Sequence, residues 1–101
     1  MNSPVLDFDA QRLRQLADRW LVARLAMFGS AARNELRPDS DIDLLVVFLP
    51  EAHWTLFDIS RMQDELRDLF GRPVDLVEET ALRNPFRRRA VLAEARVLYA
   101  A

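Results

Sequence analysis

Met27 to Phe48 reads MFGSAARNELRPDSDIDLLVVF, and the fold turns on how these residues are placed. Gly29-Ser30 is followed by ten residues and then by Asp41-Ile42-Asp43, which opens an apolar run. The pattern predicts a strand, a glycine turn into a short helix over 30–35, a loop over 36–40 and a second strand. Side chains alternate across a strand, so Asp41 and Asp43 share one face with Leu45 and Val47, while Ile42, Leu44, Val46 and Phe48 line the other. Two carboxylates on one face repel and raise each other's pKa unless a cation lies between them. Hard oxygens of this kind suit magnesium, which binds through one or two carboxylates plus substrate phosphates. Glycine lets backbone approach a phosphate closely, and a helix starting at Ser30 would turn free N–H groups toward an anion. An anion cradle and a metal clamp joined by a short loop describe a site for a metal-bound triphosphate. The plainer reading of the acidic pair is a strand cap or a guard on a sheet edge.

Outward from this stretch, helices and strands interleave. Residues 1–8 read as a loose arm containing Pro4, with neither the basic nor the apolar region of a signal peptide. Asp7 or Asp9 caps a helix to about Val22, with Leu13, Leu16, Trp20 and Ala23 at helical spacing. Leu25–Phe28 is a short strand, and Ile42–Phe48 a central one buried on both faces beyond its acidic start. A turn at Pro50 leads to an amphipathic helix from Trp54 to Phe70, with Ile59, Met62, Leu66 and Leu69 inward. Gly71 and Pro73 stop it. Val74–Glu78 is the next strand and carries Asp75. Residues 80–83 connect, Asn84 caps and Pro85 opens a last helix to about Ala95; Val97–Tyr99 is a final strand or an extended tail. The expected architecture is α/β: one domain over 1–101, a small mixed sheet with helices packed on it.

Composition narrows the function. The 101 residues are half hydrophobic and 30% charged, with a formal charge of −2, which argues against direct nucleic-acid binding. No apolar run approaches the roughly 20 residues of a membrane helix. Absent cysteines exclude disulfides and thiolate metal sites and fit a reducing cytoplasm. All fourteen basic residues are Arg, so lysine-based covalent chemistry and a P-loop lysine are excluded. His53 has no partner for zinc or a triad and reads as a helix-start or solvent residue. Arg87-Arg88-Arg89 is either a solvated helix face or a docking surface for an acidic partner or triphosphate. Phe57, Phe70, Phe86 and Tyr99 fit core positions.

Gly-Ser, ten residues, Asp-x-Asp and Leu-Leu-Val-Val, with Arg72-Pro-Val-Asp-Leu-Val77 downstream, resemble the signature of the polymerase-beta-type nucleotidyltransferase superfamily. The stretch is most similar to its smallest members, the minimal nucleotidyltransferases (MNT or MntA antitoxins) paired with HEPN toxins. The resemblance implies a polymerase-beta-like fold. It implies that Asp75 joins Asp41 and Asp43, the first two bridging two magnesium ions and the third binding one of them and helping to deprotonate the attacking hydroxyl. The plainer alternative for Asp75 is an edge-strand charge. Gly29 and Ser30 would hold the outer phosphates of the nucleotide. Arg33 would reach phosphate or pair with Glu35 or Asp39, and Ser40 would hold the loop ahead of Asp41. Ala31 and Asn34 depart from the Arg and Gly frequent at those positions, and Asn tolerates the left-handed backbone that Gly would adopt. The implied activity is magnesium-dependent transfer of AMP from ATP to a hydroxyl. The chain lacks the length of relatives that build their own acceptor pocket, so the acceptor is expected on a partner, a HEPN toxin modified on tyrosine. The alternative is an antitoxin that neutralises that partner by binding alone.

Overall fold

The computed structural model describes residues 7–101, so most of the arm expected over residues 1–8 lies outside the described residues. Helix α1 spans Ala10–Arg19, and the Asp9 carboxylate caps it by accepting from the N–H groups of Gln11 and Arg12. The helix ends three residues before the expected Val22. Trp20 closes it, Leu21 takes a left-handed φ of 55°, and the chain enters strand β1 at once, over Val22–Phe28. The expected helix and strand met between Val22 and Leu25. Pairing with two neighbouring strands decides for the strand.

Strand β2 (Ile42–Phe48) runs antiparallel to β1; helix α2 (Leu56–Phe70) then crosses over to strand β3 (Val74–Glu78), which lies parallel to β2. Helix α2 begins two residues later than expected because Thr55 and Asp58 form a capping box. Gly71 ends it in the left-handed conformation, as expected. A 3-10 turn over Glu79–Ala81 leads to helix α3 (Pro85–Glu94), capped by Asn84. The last residues form strand β4 (Arg96–Ala100), antiparallel to β1. The sheet order is β3-β2-β1-β4, a mixed four-stranded sheet.

The two faces of the sheet are unequally covered. Ile42, Leu44 and Val46 pack with Leu13, Leu16, Met62 and Leu66 of α1 and α2. On the opposite face Leu45 and Phe28 pack with Leu82 and Val91, and Val91 is the buried residue of α3. The alternation expected for β2 is observed, and the face that carries Asp43 is the thinly covered one. Two expected core aromatics are not in the core. Phe57 and Phe86 are 84% and 81% exposed, each in the first turn of its helix, ahead of that helix's buried residues.

Candidate active site

Asp43 and Asp75 are register partners on the parallel strands β2 and β3. Register partners of a parallel ladder project to the same face, so the backbone alone sets these two carboxylates side by side. Asp41 stands exposed two residues ahead, just before β2 begins. Gly29 follows β1 directly, and its neighbour Phe28 is paired with Asp43. Gly29 is constrained twice: its φ is 68°, and a Cβ there would lie 2.4 Å from Oδ2 of Asp43. Only glycine permits both that turn and that approach.

Electrostatics follow from the placement. Burial, then the negative charges of Asp75 and Asp41, push the Asp43 carboxyl above its ordinary value; Glu94 adds to the rise and the Arg33 cation partly offsets it. Among the described residues, no three Asp, Glu, His or Cys side chains converge to metal-binding distance. The backbone therefore assembles the three carboxylates without closing them. Asp41 and Asp75 are exposed, so their rotation onto an ion would disturb no packing. A hard-oxygen donor set under mutual repulsion is chemically matched to magnesium.

The turn after Gly29 differs from the expected helix over 30–35. Arg33 N–H donates to the Gly29 carbonyl and Glu35 N–H to that of Ser30, and Asn34 then takes a left-handed φ of 59°. This is one turn, closed at once, so no helix dipole aids an anion here. Asn34 occupies the left-handed conformation that its tolerance allowed. Ser40 locks the loop: its Oγ accepts from Arg37 N–H at 2.9 Å, and its own N–H donates to the Arg37 carbonyl. Arg72 donates to that same carbonyl, fastening the loop to the approach of β3.

Arg33 pairs through Nε with Glu35 at 2.9 Å and through Nη1 with Glu94 at 3.1 Å; Asp39 is not its partner. Glu94 is the residue that the sequence reading missed. It ends α3, and its other oxygen accepts from Gly29 N–H at 2.9 Å. These bonds, the Gly29 N–H first and then Arg33, hold the Glu94 carboxyl below its ordinary value. A carboxylate at a helix C-terminus opposes the dipole, which is the local hint that it is held by something else. The run Arg87-Arg88-Arg89 is divided. Arg88 bonds to Glu79, which also pairs with Arg24, while Arg87 and Arg89 are exposed. His53 is exposed and caps nothing, since Thr55 caps α2. The cleft between α1 and α2, lined by Arg12, Gln15, Arg19, Glu65 and Asp68 among others, contains none of the site residues.

Comparison with known proteins bears on the family and the fold. The sequence model described as "Nucleotidyltransferase domain" matches residues 10–98. A protein of Methanocaldococcus jannaschii, provisionally named a protein adenylyltransferase, is 36% identical over 89 residues, covering 88% of this chain and 89% of the relative. The solved structure of a protein provisionally described as a minimal nucleotidyltransferase superposes with a TM-score of 0.71 at 41% identity, over 86% of each chain. The fold, at 16% identity, is also shared with a structure of a tri-AMPylated HEPN toxin of Shewanella oneidensis in complex with an MNT antitoxin. That superposition has a TM-score of 0.63 over 91% of this chain and 70% of the other.

Proposed function

The chain belongs to the nucleotidyltransferase domain family, and from that membership we propose that it transfers AMP from ATP to a hydroxyl group on a partner protein. The observation that carries the reading is the register pairing of Asp43 with Asp75, with Asp41 leading in and Gly29 pressed against Asp43. No other part of the described chain gathers carboxylates against a backbone turn in this way. The cost of that arrangement, visible in the raised Asp43 pKa, is removed when cations bind.

In this reading Asp41, Asp43 and Asp75 hold magnesium, and the chemistry a pair of such ions supplies is activation of the nucleophile and neutralisation of the leaving pyrophosphate. Gly29, Ser30 and Arg33 bind and orient the outer phosphates, while Ser40 keeps the loop that presents Asp41. The acceptor oxygen forms a bond to the α-phosphorus, and the bond from that phosphorus to the pyrophosphate oxygen breaks. Asp75 receives the hydroxyl proton. Positioning supplies a large part of the rate of such a reaction, and Asp75 is exposed on β3, an edge strand of the sheet. A docked protein therefore supplies the acceptor. A tri-AMPylated HEPN toxin in complex with an MNT antitoxin of the same fold supports a HEPN toxin as that partner, and we take a tyrosine hydroxyl as the modified group from the family resemblance alone. We place the reaction in the cytoplasm, in keeping with a chain that has no cysteine.

The test is incubation of the purified protein with a HEPN-domain protein encoded beside it, or failing that with each neighbouring gene product, together with magnesium and each labelled nucleoside triphosphate in turn. The expected result is label transfer from ATP, loss of transfer in chelator, and an added AMP on tyrosine by mass spectrometry. A partner neutralised yet never modified would replace this reading with neutralisation by binding alone.

A further inference from the structure

Glu94 occupies the position that the proposed reading assigns to phosphate. Its two carboxylate oxygens divide between Gly29 N–H at 2.9 Å and Arg33 Nη1 at 3.1 Å, one backbone donor and one guanidinium. Those are the donors a terminal phosphate would engage, and an anionic carboxylate engages them in the same charge-assisted way. We infer that Glu94 is an internal competitor for the phosphate cradle, a positioning residue that must be displaced before the triphosphate of ATP can bind fully. The inference rests on the reading of Gly29 and Arg33 as phosphate donors.

Three features of the surroundings support displacement over permanent attachment. Glu94 is the last residue of α3, where the helix dipole disfavours a carboxylate, so its bonds to Gly29 and Arg33 are what hold it. The Glu94 side chain is partly exposed, so it can swing toward solvent while Val91, the buried residue of α3, stays seated. Arg33 is already shared with Glu35, so it keeps one partner when Glu94 leaves. Retained in the cradle beside ATP, Glu94 would set one more negative charge against both the phosphates and Asp43, whose carboxyl it already helps to push up.

The consequence is quantitative. A site whose competent state is populated only part of the time binds with an affinity reduced by that fraction. If Glu94 holds the cradle nine-tenths of the time, its removal tightens ATP binding about tenfold. The experiment is calorimetric titration of the full chain with magnesium and AMP-PNP, and separately with AMP, for wild type, Glu94→Gln, Glu94→Ala, Glu35→Gln and Arg33→Ala. Thermal melts establish that each variant is folded. Competition predicts tighter AMP-PNP binding in Glu94→Gln and a larger gain in Glu94→Ala, with little change for AMP, which lacks the outer phosphates. Glu35→Gln removes a charge from the same arginine without freeing Gly29 N–H, and gives a smaller gain than either Glu94 variant. Unchanged or weaker AMP-PNP binding in both Glu94 variants overturns the inference, and so does an equal gain in Glu35→Gln. The two levels separate through Arg33→Ala. Loss of AMP-PNP binding there, with both Glu94 variants at wild-type affinity, discards the competitor and keeps the phosphate site. Wild-type affinity in all variants discards both.

Discussion

On one face of the sheet, α1 and α2 close over Leu25, Ile42, Leu44 and Val46; on the other, α3 touches down through Val91 onto Leu45 and Phe28. The carboxylates divide in the same way. At the start of α2, Asp58 accepts from the N–H and hydroxyl of Thr55 and is held below its ordinary pKa. At the start of β2, on the thin face, Asp43 is held above it by burial first and then by the charges of Asp75 and Asp41. One acid is placed where the fold satisfies it. The other is placed where burial and neighbouring carboxylates oppose its charge, and Arg33 offsets them only in part. Stability is concentrated on the first face, and the second is left with unmet demand, the usual condition of a binding site.

The largest test of that division is chemical. Asp41→Asn and Asp43→Asn should each lower AMP transfer by about two orders of magnitude or more, the scale of losing a preorganised charge in an active site. Asp75→Asn should lose most of its activity too. Circular dichroism and melting should show all three variants folded. Wild-type rates in any of them, in a labelled transfer assay, would return that carboxylate to an edge-strand charge.

A second contrast concerns stability alone. Leu66 is fully buried between α2 and the sheet, so Leu66→Ala should cost about 2–5 kcal/mol in denaturant unfolding. Val91→Ala on the thin face loses two methyl groups from a small cluster, and about 1–2 kcal/mol is expected. Equal costs would mean that α3 is as firmly seated as α2. Ser30→Ala belongs to the thin face as well and should affect ligand more than fold. Nucleotide affinity falls by the worth of one charge-assisted hydrogen bond, about 1.5–3 kcal/mol, with an unchanged melting temperature. Unchanged affinity by calorimetry would leave Ser30 as part of the turn only.

Much of this was legible because it is written in local pattern. The alternation from Ile42 to Phe48 set Asp43 opposite the main core, and the bounds of β2 and β3 follow directly from their apolar runs. Gly71 and Asn84 ended and began helices by their own backbone chemistry. What failed depended on distant partners. Residues 21–24 suit either helix or strand until β2 and β4 pair with them. The turn at 30–35 lacks the length to continue as a helix once Asn34 goes left-handed. Glu94 could not be assigned to the site at all, because its bond to Gly29 spans 65 residues and rests on how α3 returns to the sheet. The sequence also records that Phe57 and Phe86 are apolar, but not that they open their helices on the solvent side.

The smallest effect is the most direct measure of the contrast between Asp43 and Asp58, and it needs the protein in chelator with no nucleotide. In the folded state the Asp43 carboxyl holds its proton more tightly than in the unfolded chain. Its contribution to stability is therefore complete below the unfolded value, about 3.9, and is lost as pH rises through the higher folded value. At pH 7 the wild type carries a repulsion that a neutral amide at this position removes. Asp43→Asn should thus melt a few degrees higher at pH 7, about 1 kcal/mol being worth roughly 4–8 °C in a domain this size. The advantage should shrink as pH falls and the wild-type carboxyl takes up its proton. Asp58 has the opposite sign. Its carboxylate is stabilised by Thr55, a contribution present above the unfolded value and lost as pH falls through the lower folded one. Asp58→Asn should melt lower than wild type at pH 7 and approach it in acid. Melting curves of both variants from pH 7 down through the acid range in which both carboxyls protonate decide the matter. Shifts of the same sign at pH 7 would mean that the acids of the thin face are as well satisfied as the helix cap, and that no cation is needed to complete them.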